Sequence, residues 1–171
     1  MPPEPRGPHA VAGLPTRSFR GHVYRIVPRH LQGRVLNAEG SRLYGGRYTP
    51  KGEFGALYCG ETPAICSAEI RKATRGRALG PFILAKIHIE LHRVLDLTDP
   101  DILHALRIRE EDLVAPDWGL TQEVGRLAHA AGLEGLLVPS AAAPGKNLLL
   151  FLGHLDPASA LQLVTTEPAE P

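Results

Sequence analysis

Residues 82–91 carry the clearest pattern in the chain. Ile83, Ala85, Ile87, Ile89 and Leu91 fall on one face of an extended segment and Lys86, His88 and Glu90 on the other, which predicts a half-buried strand. Val23 to Val27 is short, β-branched and aromatic, and reads as a strand that stops at Pro28. Phe54 to Cys59 reads as another, and Gly135 to Val138, Asn147 to Leu152 and Ala160 to Val164 as closing strands. Helix starts are marked by capping chemistry. Thr62-Pro63 offers a hydroxyl cap followed by proline at the first helical position, which predicts a helix to about Ala73. Asp99-Pro100 repeats the signal for a shorter helix, and Thr121 to Ala131 is amphipathic and closed by Gly132. Residues 31–53, with glycines at 33, 40, 45, 46 and 52, read as loop. Strands and helices mix without regular βαβ alternation, so the expected fold class is α+β.

Length and composition sharpen this picture at the ends. The 171 residues suit one compact domain, and a hydrophobic fraction of 43% excludes wholesale disorder. Prolines at 2, 3, 5, 8 and 15 predict an extended tail over residues 1–18, a domain over 19–165 and a second short tail over 166–171. Cys59 and Cys66 lack CxxC spacing and are expected as buried free thiols. No apolar stretch reaches signal-peptide or membrane-span length, so a soluble, cytoplasmic protein without membrane contact is expected.

The net charge of +1 hides a division. Residues 1–80 carry 13 Lys/Arg against 5 Asp/Glu, while residues 81–171 carry 6 against 13. A basic half points to an anionic ligand. A nucleotide-binding loop does not supply it. Gly40 to Arg47 has Walker-like glycine spacing but lacks the Lys-Ser/Thr pair, and no GxGxxG follows a strand. A non-enzymatic nucleic-acid binder fits less well, because aromatics are few and the arginines are spread over many elements. No metal is expected: His88 and His92 on one strand would stand about 13 Å apart, and the other histidines are scattered.

Three polar residues remain. Ser140 follows a strand but lacks the Gly-x-Ser-x-Gly of a hydrolase elbow, so a turn or capping role is the default. Glu69 lies mid-helix, where a glutamate is ordinarily solvated. Arg25, within an apolar strand, either faces solvent or aims at an anion in a cleft, and spacing alone does not choose.

Taken in order, several pieces resemble the RES domain, a bacterial toxin family. They are Val23-Tyr24-Arg25, Gly45-Gly46-Arg47-Tyr48, Leu57-Tyr58, Ala64 to Glu69, Val138-Pro139-Ser140 and Asn147-Leu148, spread over about 130 residues. Two segments depart from the family: Tyr48-Thr49 stands where Trp-Asn is common, and residues 141–146 align less well.

The resemblance implies a fold like that of ADP-ribosyltransferases, a mixed sheet with short flanking helices. It implies an enzyme that degrades NAD at the nicotinamide–ribose bond as a glycohydrolase or phosphorylase, with NAD as substrate and no cofactor. It also implies a cognate DNA-binding antitoxin as partner, and homodimerisation within that complex. Some members of the family instead transfer ADP-ribose to a protein, the alternative activity. Water, phosphate and protein acceptors all need the same NAD-cleaving pocket and stay open at this point. Nicotinamide departs as a neutral base from a cationic ribosyl bond, so one carboxylate suffices where an O-glycosidase needs two. The implied catalytic set is Glu69, Arg25 and Ser140: Glu69 stabilises the ribosyl cation, and Ser140 positions without acting as nucleophile. Arg25 and Arg47 are assigned to the diphosphate, Tyr58, Tyr48 and Tyr24 to stacking, and Asn147 to the substrate pocket.

Overall fold

The alternating run becomes β3 (Phe82–Asp96), the longest strand in the computed structural model, which describes residues 9–77 and 79–171. Ile83, Ala85, Ile87, Ile89 and Leu91 are each at most 4% exposed, so the alternation is a true inside–outside division. β1 (Arg17–Pro28) pairs antiparallel with β3 from Arg17↔Val94 to Pro28↔Phe82. β2 (Leu57–Gly60) follows, then α3 (Pro63–Thr74). β4 (Gly135–Pro139), β5 (Lys146–Leu150) and β6 (Ala160–Ala169) complete the sheet.

Strand order is β1-β2-β5-β4-β3-β6, and β3 also pairs with β1. The first five strands therefore close into a ring, and β6 adds to β3 beyond the stretch where β4 pairs. Closure removes most open edges, leaving β6 outermost. The expected α+β class holds.

Alternation along the central strands divides the apolar side chains between two cores. Val23, Ile87, Leu137, Leu148 and Leu150 pack inside the ring. Leu95, Leu136, Val138 and Leu149 pack on its outer side against α4 (Pro100–Leu106) and α6 (Gly119–Ala130). β4 is buried on both faces, which is why Gly135 to Val138 reads as a continuous apolar run instead of alternating. Truncating one such leucine costs about 2–5 kcal/mol.

Several expected boundaries move. The loop-rich segment contains a 3-10 helix over Arg29–Arg34 and α2 (Glu39–Tyr44), and the strand expected from Phe54 starts at Leu57. A short α5 (Glu110–Leu113) was not expected. Within the N-terminal tail, α1 (His9–Ala12) forms, Val11 is buried, and β1 already begins at Arg17; residues 1–8 lie outside the described part. At the other end β6 runs to Ala169, paired with Phe82, so residues 166–169 belong to the sheet instead of a frayed tail.

Candidate active site

α3 begins as its capping chemistry dictates. The Thr62 hydroxyl oxygen accepts the Ile65 amide at 3.2 Å, and Pro63 occupies the first turn, where a missing N–H does no harm. The helix can lie close to β2 because residue 60 is glycine. A Cβ there would stand 2.6 Å from Cys66 Sγ. Ile65 and Cys66 bury against the sheet, and Glu69 follows Cys66 by one turn, half-buried beside β1 and β5.

There Glu69 meets two partners distant in sequence. Its Oε1 accepts the Ser140 hydroxyl at 2.7 Å and the Asn147 side-chain amide at 2.7 Å. Asn147 stands on β5 between Gly60 of β2 and Val138 of β4, so the sheet fixes its position. Ser140 follows β4, and its Oγ also accepts the Ala142 and Ala143 amides at 3.1 and 3.3 Å. Those acceptances direct the serine proton to Glu69, which makes the hydroxyl a positioning donor. Among the described residues Oε2 of Glu69 receives no hydrogen bond, so it is available to a ligand.

Glu69 and Asn147 line a cleft of about 230 Å³ with Tyr24, Arg25, Tyr58 and Cys66. Arg25 enters from β1, and its Nη1 donates to the carbonyls of Val35 at 2.6 Å and Asn37 at 3.5 Å. Burial lowers the Arg25 pKa, opposed by the nearby Cys59 and Cys66, yet a guanidinium remains charged. The same burial pushes the Cys66 thiol up to about 11 and the Cys59 thiol up to about 12, so both stay protonated and poorly nucleophilic at neutral pH. Both are free and buried, as expected.

Tyr58 lines the cleft while its hydroxyl ties down the glycine loop: it accepts the Tyr48 amide at 3.0 Å and lies 2.9 Å from Thr49 Oγ1. Burial raises its pKa, keeping the phenol neutral. Two expected substrate contacts are not brought to the cleft. Tyr48 is 1% exposed and packs in the outer core, so its ring has no face free for a base. The Arg47 guanidinium turns to the Leu113 and Ala115 carbonyls, at 3.3 and 2.5 Å, and lies 5.7 Å from the Trp118 ring centroid. These contacts hold it away from the cleft lining.

Sequence reasoning missed the apolar wall of the cleft, Ile26, Cys66 and Ile70, and the role of Gly60 in admitting α3. It also missed Glu134, fully buried, whose carboxylate accepts the His92, Arg93 and Asp156 amides at 2.8, 2.9 and 3.1 Å and the Ser159 hydroxyl. That residue joins the β3–β4 junction to the chain after β5 and is structural. No group of three potential metal ligands gathers among the described residues, and none of their helices is long and apolar enough to cross a membrane.

The cleft thus offers a carboxylate with one oxygen clamped and one available, an adjacent half-buried cation, and aromatic walls. Such a site can hold a ribose hydroxyl and stabilise a developing positive charge. Known proteins share this architecture. The chain is 30% identical over 129 residues to the NAD(+) phosphorylase MbcT of Mycobacterium bovis, covering 71% of this chain and 68% of the relative, and it matches the Mycobacterium tuberculosis H37Rv protein of that name equally. It is also similar to a chain in the crystal structure of the M. tuberculosis MbcT–MbcA toxin–antitoxin complex, with a TM-score of 0.82, 25% identity, and coverage of 97% of this chain and 93% of the other. The RES domain matches residues 22–169, from the second half of β1 to the end of β6, and with Arg25, Glu69 and Ser140 inside that span the chain belongs to the RES domain family.

Proposed function

We propose that this protein breaks the nicotinamide–ribose bond of NAD in the cytoplasm and is the toxin of a toxin–antitoxin pair. Phosphate is the favoured acceptor, on the similarity to the phosphorylase MbcT. The observation that carries the reading is the double clamp on Glu69 Oε1, by Asn147 within the cleft that also holds Arg25 and by Ser140 from outside the cleft lining.

In the reaction the C–N glycosidic bond breaks and its electron pair leaves with nicotinamide, which departs neutral. A phosphate oxygen forms the new bond to the ribose carbon, giving ADP-ribose 1″-phosphate. Glu69, its free Oε2 toward the ribose, stabilises the oxocarbenium-like transition state and holds a ribose hydroxyl. Ser140 and Asn147 keep that carboxylate in one rotamer, which removes a reorganisation step. Arg25 contributes positive charge beside the phosphate-bearing part of the substrate. Tyr24 and Tyr58 supply aromatic surface for the leaving base.

An enzyme that consumes NAD in its own cell requires a silencer. The similarity to the MbcT–MbcA complex supports a cognate antitoxin in that role.

The test is incubation of purified protein with NAD, with and without phosphate, following nicotinamide and the sugar product. Nicotinamide release with ADP-ribose 1″-phosphate supports the reading. ADP-ribose alone would assign water as acceptor, and a labelled protein band would assign protein modification. No nicotinamide release under any condition sinks the proposal.

A further inference from the structure

The loop that begins at Ser140 is seated along one stripe of α3. Ile65, Glu69 and Lys72 are four and three residues apart, so they share a helix face, and each meets the loop. Ile65 packs against Gly145, where a Cβ would stand 2.4 Å from the Ile65 Cδ1. Glu69 Oε1 accepts the Ser140 hydroxyl at 2.7 Å, and the Lys72 ammonium donates to the Ala141 carbonyl at 2.7 Å. The loop closes on itself through the Ser140 amide, which donates to the Gly145 carbonyl at 2.9 Å.

The Lys72 contact bears on the serine proton. The Ala141 carbonyl and the Ala142 amide belong to one planar peptide unit, whose oxygen and hydrogen point to opposite sides in the trans form. Lys72 holds the oxygen. The hydrogen on the other side is donated to Ser140 Oγ at 3.1 Å, and the Ala143 amide joins it at 3.3 Å. With that plane fixed, the serine oxygen accepts from the loop and its own proton goes to Glu69. The contacts thus run in series from Lys72 through the 141–142 peptide and Ser140 to Glu69, with a charged donor at the head. The ammonium is exposed, so water competes for it and its effect is modest.

We propose that Lys72 is a positioning residue for the cleavage of NAD. It fixes the 141–142 peptide and thereby aims the Ser140 proton at Glu69, while itself lying outside the cleft lining. The inference rests on the proposed role of Glu69 in the reaction.

The experiment uses the full chain with Lys72→Met, alone and combined with Ser140→Ala. Lys72→Met is expected to lower kcat for nicotinamide release about three- to ten-fold, with KM for NAD held within about two-fold. In the Ser140→Ala background the same change should alter kcat by less than about two-fold, because the hydroxyl it aims is gone. An equal drop in both backgrounds overturns the proposal, since Lys72 would then act on the substrate or on the fold directly. An unchanged kcat in the single variant also overturns it, whatever happens to Tm. Arg71→Met removes the neighbouring cation in the last turn of α3 and should leave kcat within about two-fold. A drop as large as that of Lys72→Met would assign the effect to charge at the helix end and overturn the proposal as well. Hydrogen exchange at the Ala142 amide, followed by NMR, reads the contact without turnover. It should quicken about five-fold or more in Lys72→Met and stay unchanged in Arg71→Met. If wild type releases no nicotinamide the catalytic reading fails, and exchange alone judges the contact; equal exchange in wild type and Lys72→Met overturns it.

Discussion

Ser140 and Glu69, 71 residues apart, are joined by a 2.7 Å hydrogen bond in which the serine donates. The proton has one direction to go, because the Ala142 and Ala143 amides already point at the serine oxygen. Glu69→Gln keeps the shape and removes the negative charge, so kcat for nicotinamide release should fall by about 10²–10³-fold with the fold intact. Ser140→Ala removes one positioning donor and should lower kcat about ten-fold while KM for NAD moves little. Steady-state kinetics on both variants decides it; a Glu69→Gln enzyme as active as wild type would remove Glu69 from the chemistry.

Asn147 offers a pH test of the same clamp. Its amide lies 2.7 Å from Glu69 Oε1, so Asn147→Asp places a second carboxyl against the first. Two carboxylates that close cannot both ionise easily, and the pair takes up a proton at higher pH than one alone. The acid limb of the kcat profile should therefore move upward in pH, with activity recovering as the second proton is lost. An acid limb unmoved from wild type would mean that the two groups do not meet in the working enzyme.

Tyr48 makes the opposite kind of prediction. Its hydroxyl is buried and has no hydrogen-bond partner among the described residues. Burial pushes its pKa far up, so the phenol is neutral and its desolvation goes uncompensated. Tyr48→Phe deletes that cost and keeps the ring, and should stabilise the protein by about 1 kcal/mol without changing KM for NAD. Urea titration with unchanged slope measures it. A rise in KM would return Tyr48 to the substrate site.

Glu134 sets an acid limit on stability. Burial alone would raise its pKa, but the Ser159 hydroxyl and the His92, Asp156 and Arg93 amides together hold it below the ordinary glutamate value. A carboxyl depressed in the folded state contributes fully above its unfolded pKa and loses that contribution as pH falls through the folded one. Tm should therefore hold at neutral pH and drop below about pH 4.5, the unfolded glutamate value. Glu134→Gln leaves amide donors facing an amide nitrogen, and should lower stability at pH 7 by about 2–4 kcal/mol. It should also flatten the acid slope. Equal acid slopes in variant and wild type would contradict the assignment.

What could be read from the chain was what local chemistry decides. β3 follows from alternation because one face meets the core, and α3 follows from Thr62-Pro63 because a cap acts on its own first turn. Arg25, Glu69, Ser140 and Asn147 became a set only through resemblance, since no spacing reveals that a β5 amide and a loop hydroxyl meet on one oxygen. Tyr48 and Arg47 show what spacing cannot reach. Whether they face ligand or core depends on α6, where glycine at 125 lets the helix approach so closely that a Cβ would stand 1.8 Å from the Tyr48 carbonyl oxygen. Residues 31–53 read as loop because the helices there, Arg29–Arg34 and Glu39–Tyr44, are one or two turns long, too short for periodicity to register.

Gly60 places α3, and hence Glu69, against the sheet. A Cβ at 60 would meet Cys66 Sγ at 2.6 Å, with the Cys66 amide and the Thr62 carbonyl next at 3.3 Å. The sulfur is the severe contact, while the backbone contacts call for a shift of a few tenths of an ångström. Gly60→Ala should therefore push the start of α3 outward and loosen the Asn147–Glu69 contact, lowering kcat at least ten-fold. Overpacking of this kind costs about 1–3 kcal/mol of stability. Adding Cys66→Ala removes the sulfur and leaves the residual backbone contacts, so the double variant should regain most of the lost kcat. Cys66→Ala alone should be nearly as active as wild type, because its protonated, buried thiol packs and donates to the Tyr24 carbonyl without touching the reacting bond. A double variant no better than Gly60→Ala would show that the backbone at Thr62, and not the thiol, limits how closely the helix can lie.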